Sequence, residues 1–270
     1  AFEVIVALTE RIPKLLEKDE TKLKLYLEKL YQYSLETDPE ISQDWCNPKT
    51  ESYFDEEFIP EENVSTTLTI VVRLIECLGK KFLLPFISEI VLNLIQNDKD
   101  WRYRYSAFMT LGEIVEFIDD ISHIENLIPI VFENISNPNA KIRYSAIYCI
   151  DLFSESFNPH FQDKYHDKVL PALVNTIKDN VLRIQLQACE ALQTFLENST
   201  EQVAGQYAQF LLDNTFQTFL IKECPISLRE QILAVLTELI NSCGEKFKDF
   251  SEKCLKLLLN FFSESFQNQT

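Results

Sequence analysis

The groups in this sequence that could do chemistry are three histidines, seven cysteines and a large excess of carboxylates. His123, His160 and His166 fall at helix starts or in connecting turns, with no Ser or Cys nucleophile at a paired spacing. His160 and His166 could join Asp163 or Asp167 around a metal ion, but the spacing fits no standard ligand motif, and solvated polar residues account for it more simply. G-x-G-x-x-G, the P-loop, H-E-x-x-H and G-x-S-x-G are all absent. No catalytic residue, metal site or cofactor is expected. Cys46, Cys77, Cys149, Cys189, Cys224, Cys243 and Cys254 are odd in number and contain no CxxC. Several lie at apolar helix positions, which suits reduced, buried thiols of a nuclear or cytosolic protein better than a disulfide framework or a zinc site.

The stretch "DWRYRYSAFMTLGEI", Asp100 to Ile114, crowds aromatic and basic residues together. It could be a nucleic-acid site. The charge argues otherwise, because the 270 residues carry a net −17. Phosphate would be repelled over most of the surface and basic partners attracted. The Arg-Tyr-Ser-Ala core recurs in "AKIRYSAIYCIDLF", with Arg104 and Arg143 39 positions apart. A structural role in a repeated unit is the simpler account. Arg104 and Arg143 would then pair with acidic or amide groups of the turns between helices, such as Asp98, Asn137 and Asp179. No apolar run approaches the roughly 20 residues that span a bilayer, so no membrane insertion is expected. The chain begins without Met and already in helical period, as a piece cut from a longer chain would.

The elements that position these residues are helices in pairs. Gly is scarce, at 4 residues, and apolar positions recur at i, i+3/4, i+7. A first helix such as "LLPFISEIVLNLIQ" is followed by a short polar turn and a second helix. In the second helices Ala107, Ala146, Ala188 and Ile232 hold one place, and Leu111, Ile150, Leu192 and Leu236 another, at steps of 39, 42 and 44. Two helices per period of about 40 residues indicate an all-α HEAT-repeat superhelical solenoid of antiparallel helix pairs. The whole chain, residues 1–270, reads as one array of about five repeats plus flanking helices. Pro129 and Pro171 lie in equivalent places of first helices and are expected to bend them.

One pair is interrupted. "KLKLYLEKLYQYS" reads as a first helix and "STTLTIVVRLIECLG", from Ser65, as its partner. Residues 36–63 form an acidic loop between them. From Glu36 to Glu62 it holds ten carboxylates against one cation, Lys49. A connection this long is functional or a solvated linker. Trp45, Tyr53, Phe54 and Phe58 give it apolar anchors. As a surface loop it is expected to add little to the core.

"QDWCNP" in an acidic loop, then "CLGKKFLLPFISEIV", then "DWRYRYSAFMTLGEI" resembles the importin-β (karyopherin-β) nuclear transport receptors. "KIRYSAIYCIDLFSESFNPHFQDKYHDKVLPALVNTIKDN" is most similar to the importin-5, or karyopherin-β3, branch. The resemblance covers essentially the whole chain and implies a central fragment. It implies cargo bearing a basic nuclear localisation signal on a concave face lined by second helices, regulation by the GTPase Ran, and FG-repeat nucleoporins as further partners. It also implies shuttling between cytoplasm and nucleus. The Ran contact would fall on Asp38, Glu40, Asp44, Trp45, Asp55, Glu56 and Glu57. Glu116, Glu155, Glu197 and Asn241 follow the steps of the Ala column late in second helices, with Glu113, Tyr148 and Asp151 nearby. Stacked, they would form a carboxylate ladder for Lys and Arg side chains. A solvated polar helix face is the alternative for that ladder. A non-transport HEAT scaffold, phosphatase-subunit-like or condensin-like, is the alternative for the whole chain.

Overall fold

A computed structural model of the chain describes residues 1–48, 62–97 and 99–267, and among these every regular element is a helix. The order is α1 (Phe2–Arg11), α2 (Lys14–Glu17), α3 (Glu20–Ser34), α4 (Gln43–Cys46), α5 (Glu62–Leu78), α6 (Lys80–Ile95) and α7 (Trp101–Ile114). Then come α8 (Ile128–Asn134), α9 (Ala140–Ser156), α10 (His160–Thr176), α11 (Leu182–Glu197), α12 (Glu201–Phe219), α13 (Ile226–Cys243) and α14 (Lys248–Gln267). The described residues fall into two compact units, residues 1–45 with 62–152, and residues 46–48 with 153–267.

In the first unit α3 pairs with α5 and α6 with α7, and α5 also packs on α1, α6 and α7. Leu23, Leu27 and Leu30 of α3 and Ile70, Val71 and Leu74 of α5 are completely buried. A single residue, Gly79, separates α5 from α6, and its φ of 87° is a left-handed conformation that an L side chain would strain. Asp100 starts α7, its carboxylate accepting the Arg102 N–H at 3.0 Å. Asn139 does the same for α9, accepting from Lys141 at 2.9 Å. Ala107 and Ala146 are fully buried, as the repeat register requires. Small residues there let α7 and α9 approach until the Cys149 thiol donates to the Phe108 carbonyl at 2.9 Å.

In the second unit α10 pairs with α11 and α12 with α13, and the second helices α11 and α13 lie side by side. Ala188, Leu192, Ile232 and Leu236 are buried between them and their first helices. Gln193 of α11 donates to Gln231 of α13 at 2.9 Å, and Ser242 donates to the Leu196 carbonyl at 2.8 Å. The run that begins α10 buries Phe161, Tyr165 and Val169 at i, i+4, i+8. Phe161 makes edge-on or tilted contacts with Phe153, Tyr165 and Phe195.

Two local expectations change. Pro129 does not bend a helix; it stands in the first turn of α8, where its missing N–H has no partner to lose. Asp120, whose side chain accepts from Ser122, starts a separate 3₁₀ turn, Ile121–His123, ahead of α8. Pro171 does lie inside α10, as Pro85 lies inside α6. Second, α5 starts at Glu62, ahead of Ser65. Arg104 and Arg143 also reach backbone carbonyls. Arg104 donates to Ile95 O at 3.4 Å and Arg143 to Asn137 O at 2.9 Å. Arg229, in the same register, donates to Phe219, Ile221 and Lys222 carbonyls. Carbonyls at and just past the end of the preceding first helix have no intrahelical donor and lie at the negative end of its dipole, so a guanidinium is favoured there. Asp179 accepts from the Val181 N–H of its own turn, and Asp98 lies outside the described residues.

Gly112 of α7 lies close against α9. A Cβ there would stand 3.0 Å from Leu152 Cδ1 and 3.1 Å from the Tyr148 ring. Gly112→Ala gains about 1 kcal/mol of helix propensity and loses a comparable amount to crowding, so its melting temperature should stay near that of the parent chain. Gly112→Leu should destabilise by about 1–3 kcal/mol or more, read as a lower thermal midpoint; an unchanged midpoint would show that α9 does not seat on this glycine.

Candidate binding surface

The insertion between α3 and α5 is tied down at its stem by the residues that looked like a nucleic-acid motif. Trp101 Nε1 donates to the Pro39 carbonyl at 3.2 Å, and Arg102 Nη1 donates to the Thr37 carbonyl at 3.0 Å. Arg102 is held for this by Asp100, with a guanidinium-to-carboxylate distance of 2.5 Å. The Asp100 carboxyl is pushed below the usual carboxylate range, first by that hydrogen bond. At the far end Asn63 donates to the Glu36 carbonyl at 2.8 Å.

Beyond the stem, the single-turn helix α4 delivers Trp45 onto α9. Its ring lies edge-on to Tyr144 at 5.7 Å, and Lys141 Nζ sits 4.2 Å from its centroid. Lys141 is only 1% exposed. Trp101 and Tyr105 face the same ammonium at 5.9 and 5.4 Å. A desolvated cation over an aromatic face gains about 2 kcal/mol or more. Asn47 belongs to the second unit, where its side chain accepts the Leu182 N–H at 3.3 Å and completes the start of α11. Thr37, Pro39, Trp45 and Asn47 are thus anchored on helices, while Asp38, Glu40, Ser42, Gln43 and Asp44 between them are exposed.

Of the expected Ran-contacting residues, Asp38, Glu40 and Asp44 are exposed and Trp45 is half-buried in the aromatic group just described. Asp55, Glu56 and Glu57, with Lys49, Tyr53, Phe54 and Phe58, lie outside the described residues. Of the ladder residues in the first unit, Glu113 accepts a hydrogen bond from the Tyr148 hydroxyl. Burial, with the Glu113 charge beside it, pushes the Tyr148 phenol well above its ordinary range. The Tyr148 ring stacks on Tyr144 at 6.5 Å. Glu116 is exposed but not late in a helix, because α7 ends at Ile114 and Glu116 sits in the 3₁₀ turn Val115–Phe117. Asp151 is a correction. It is 8% exposed, on the packed side of α9, and is not open to a partner.

In the second unit Glu155, Glu197 and Asn241 are exposed in the last turns of α9, α11 and α13. The Ser242-to-Leu196 hydrogen bond brings Asn241 alongside Glu197. His166 Nδ1 lies 3.0 Å from the Tyr207 hydroxyl, while His123 and His160 are exposed. Among the described residues no group of three or more His, Cys, Asp or Glu is placed to hold a metal, and no helix is long and apolar enough to cross a membrane. The first unit also has an apolar cavity of about 350 Å³ between α3, α6 and α7, walled by Leu27, Tyr31, Leu35, Phe86, Ile90 and Tyr103.

Sequence reasoning missed Lys141. The signal was present: Arg102, Lys141 and Arg183 stand five residues before the Ala column in successive repeats, and Lys141 and Arg183 are both buried.

A HEAT-repeat family model matches residues 87–118. Importin subunit beta-3 of Saccharomyces cerevisiae (strain ATCC 204508 / S288c) is 24% identical over 267 residues, covering 96% of this chain and 24% of that protein. Kap121p bound to Pho4p superposes with a TM-score of 0.79 at 23% identity over 97% of this chain and 25% of that one. Kap121p bound to Nup53p gives 0.81 at 21% identity over 96% and 25%. The chain is thus homologous to a β-importin along nearly its whole length, has the HEAT-repeat fold, and spans about a quarter of the relatives it matches.

The Asp100 clasp has a defined pH signature. Its folded carboxyl is depressed, so its contribution is complete above the unfolded value of about 3.9 and is lost as pH falls through the lower folded value. Asp100→Asn keeps a competent cap but removes the negative charge that Arg102 faces. The melting difference between the two chains should be largest at pH 6 and shrink towards pH 2–3; a gap that is constant with pH would assign the effect to the cap alone.

Proposed function

We propose that this chain, homologous to the importin-β nuclear transport receptors, is a cargo-binding segment of such a receptor. The observation that carries this reading is homology over 96% of its length together with the match to cargo-bound relatives. The receptor would shuttle between cytoplasm and nucleus. Its work here is binding, with no catalytic group required.

The cargo class we assign is a segment rich in Lys and Arg, in keeping with a net charge of −17. Its contacts are Glu113 and Glu116 in the first unit and Glu155, Glu197 and Asn241 in the second. Tyr148 supplies an aromatic face and holds Glu113 in place by its hydrogen bond. Asp38, Glu40 and Asp44 of the insertion are assigned to the basic surface of Ran in its GTP-bound form. The apolar cavity of α3, α6 and α7 suits the phenylalanine rings of FG-repeat nucleoporins. Its wall combines Leu27, Tyr31, Leu35, Phe86, Ile90, Leu94 and Tyr103 with Lys24, Glu28, Gln32, Glu89 and Asn93, and its volume of about 350 Å³ exceeds that of one such ring. A relative bound to Nup53p supports a nucleoporin as partner.

Individual exposed ion pairs contribute about 0.2–1 kcal/mol, so single changes should do little. Glu155→Gln with Glu197→Gln should weaken a deca-lysine peptide roughly 2- to 30-fold and flatten its salt dependence. Glu113→Gln with Glu116→Gln should do the same independently. Calorimetric titration at low salt reads both; undiminished affinity in both double variants would place cargo elsewhere. For the insertion, replacing Asp38, Glu40 and Asp44 by their amides should weaken capture of GTP-loaded Ran without shifting the melting temperature, and equal capture would remove these residues from the Ran contact.

A further inference from the structure

We infer that a cleft beside the start of α6 binds a short acidic segment of a partner protein, one that sets a carboxylate next to an aliphatic or aromatic side chain. The cleft, of about 310 Å³, lies in the first unit between the first turns of α6 and the chain that follows α7. Leu84, Pro85, Phe117, Ile118 and Ile124 form its apolar wall. The Lys80 and Lys81 ammonium groups and the His123 imidazole stand around that wall. Gly79 caps α6 without a side chain, so the positive end of the helix dipole adds to the lysines. This local concentration of positive charge runs against the net −17 of the chain.

The fold itself shows what the cleft accepts. Asp119 is the carboxylate among the lining residues, and Lys80 donates to it at 2.5 Å. Its carboxyl is held below the usual carboxylate range, first by that hydrogen bond, then by the charge of Lys80, with Lys81 and His123 adding to it. Three groups from two parts of the chain thus converge on one anion. Phe117 and Ile118 precede that anion directly and line the same cleft. The chain's own Phe-Ile-Asp run is therefore an internal stand-in for the ligand, with apolar side chains at the wall and a carboxylate on the ammonium rim. It is easily displaced. The side chains of Lys80 and Asp119 are 38% and 77% exposed, and a pair so open to water is weak. An incoming carboxylate would take Lys80 and Lys81 by charge-assisted hydrogen bonds while its apolar neighbour leaves water for the cleft. The net charge repels an acidic chain at long range, so the site selects by contact. The assignment does not rest on nuclear cargo.

The probe is an acetylated, amidated Leu-Glu-Leu-Glu-Leu peptide, with Leu-Gln-Leu-Gln-Leu as its uncharged counterpart. The chain has three histidines, and His123→Gln assigns the His123 ring resonances by their loss. The acidic peptide should move those resonances saturably, and the Gln peptide should leave them in place. Lys80→Gln with Lys81→Gln should weaken binding roughly 2- to 30-fold, whereas Asp119→Asn, which frees Lys80, should tighten it by up to about fivefold. Circular dichroism verifies that each variant is folded. No movement by the acidic peptide, equal movement by both peptides, or undiminished affinity in the double Lys variant would overturn the site. Unchanged or weaker binding to the Asp119→Asn chain would overturn Asp119 as the stand-in.

Discussion

The fold rests on how closely neighbouring second helices can approach. No helix pair here can bury its apolar face alone, so each must lean on the next. Ala107, Ala146 and Ala188 supply the small side chains at the crossing points, and Gly112 removes even a methyl where α9 lies close against it. Bulk at any of these places would force the helices apart along their length, since a packed interior has no slack to absorb it. The cross-links seen between second helices depend on that approach. The Cys149 thiol finds the Phe108 carbonyl, and Gln193 finds Gln231, only because the backbones are close.

This constraint is also why the fold was legible. Helical periodicity and a step of 39 to 44 residues are properties of the apolar and small residues, and burial of the Ala and Leu columns follows them directly. Capping was less legible. Pro129 is a helix-bender by type but a helix-starter by position, with a separate 3₁₀ turn started by Asp120 ahead of it. Arg104 and Arg143 were recognisable as turn-facing cations, but their bonds to backbone carbonyls at the end of the preceding first helix could not be read from residue types alone.

The candidate surface was legible in parts. Glu155, Glu197 and Asn241 could be found by counting, and all are exposed where a repeat register puts them. Asp151 is largely buried although it stands one turn before exposed Glu155 on the same helix. Glu116 is exposed too, but in a 3₁₀ turn after α7 and not within the helix itself. Lys141 is the harder case. A lysine near a helix start reads as solvated, and its burial depends on an indole almost a hundred residues away in sequence.

The guanidinium groups of Arg104, Arg143 and Arg229 are turned onto helix-end carbonyls, and Lys141 is enclosed by rings. Carboxylates such as Glu155, Glu197 and Glu116 stay at the surface. The field outside the molecule is dominated by a net charge of −17. A diffusing cationic protein would be drawn in before any contact forms. Encounter with it would be fast in dilute buffer and slow steeply as ionic strength shortens the reach of that field.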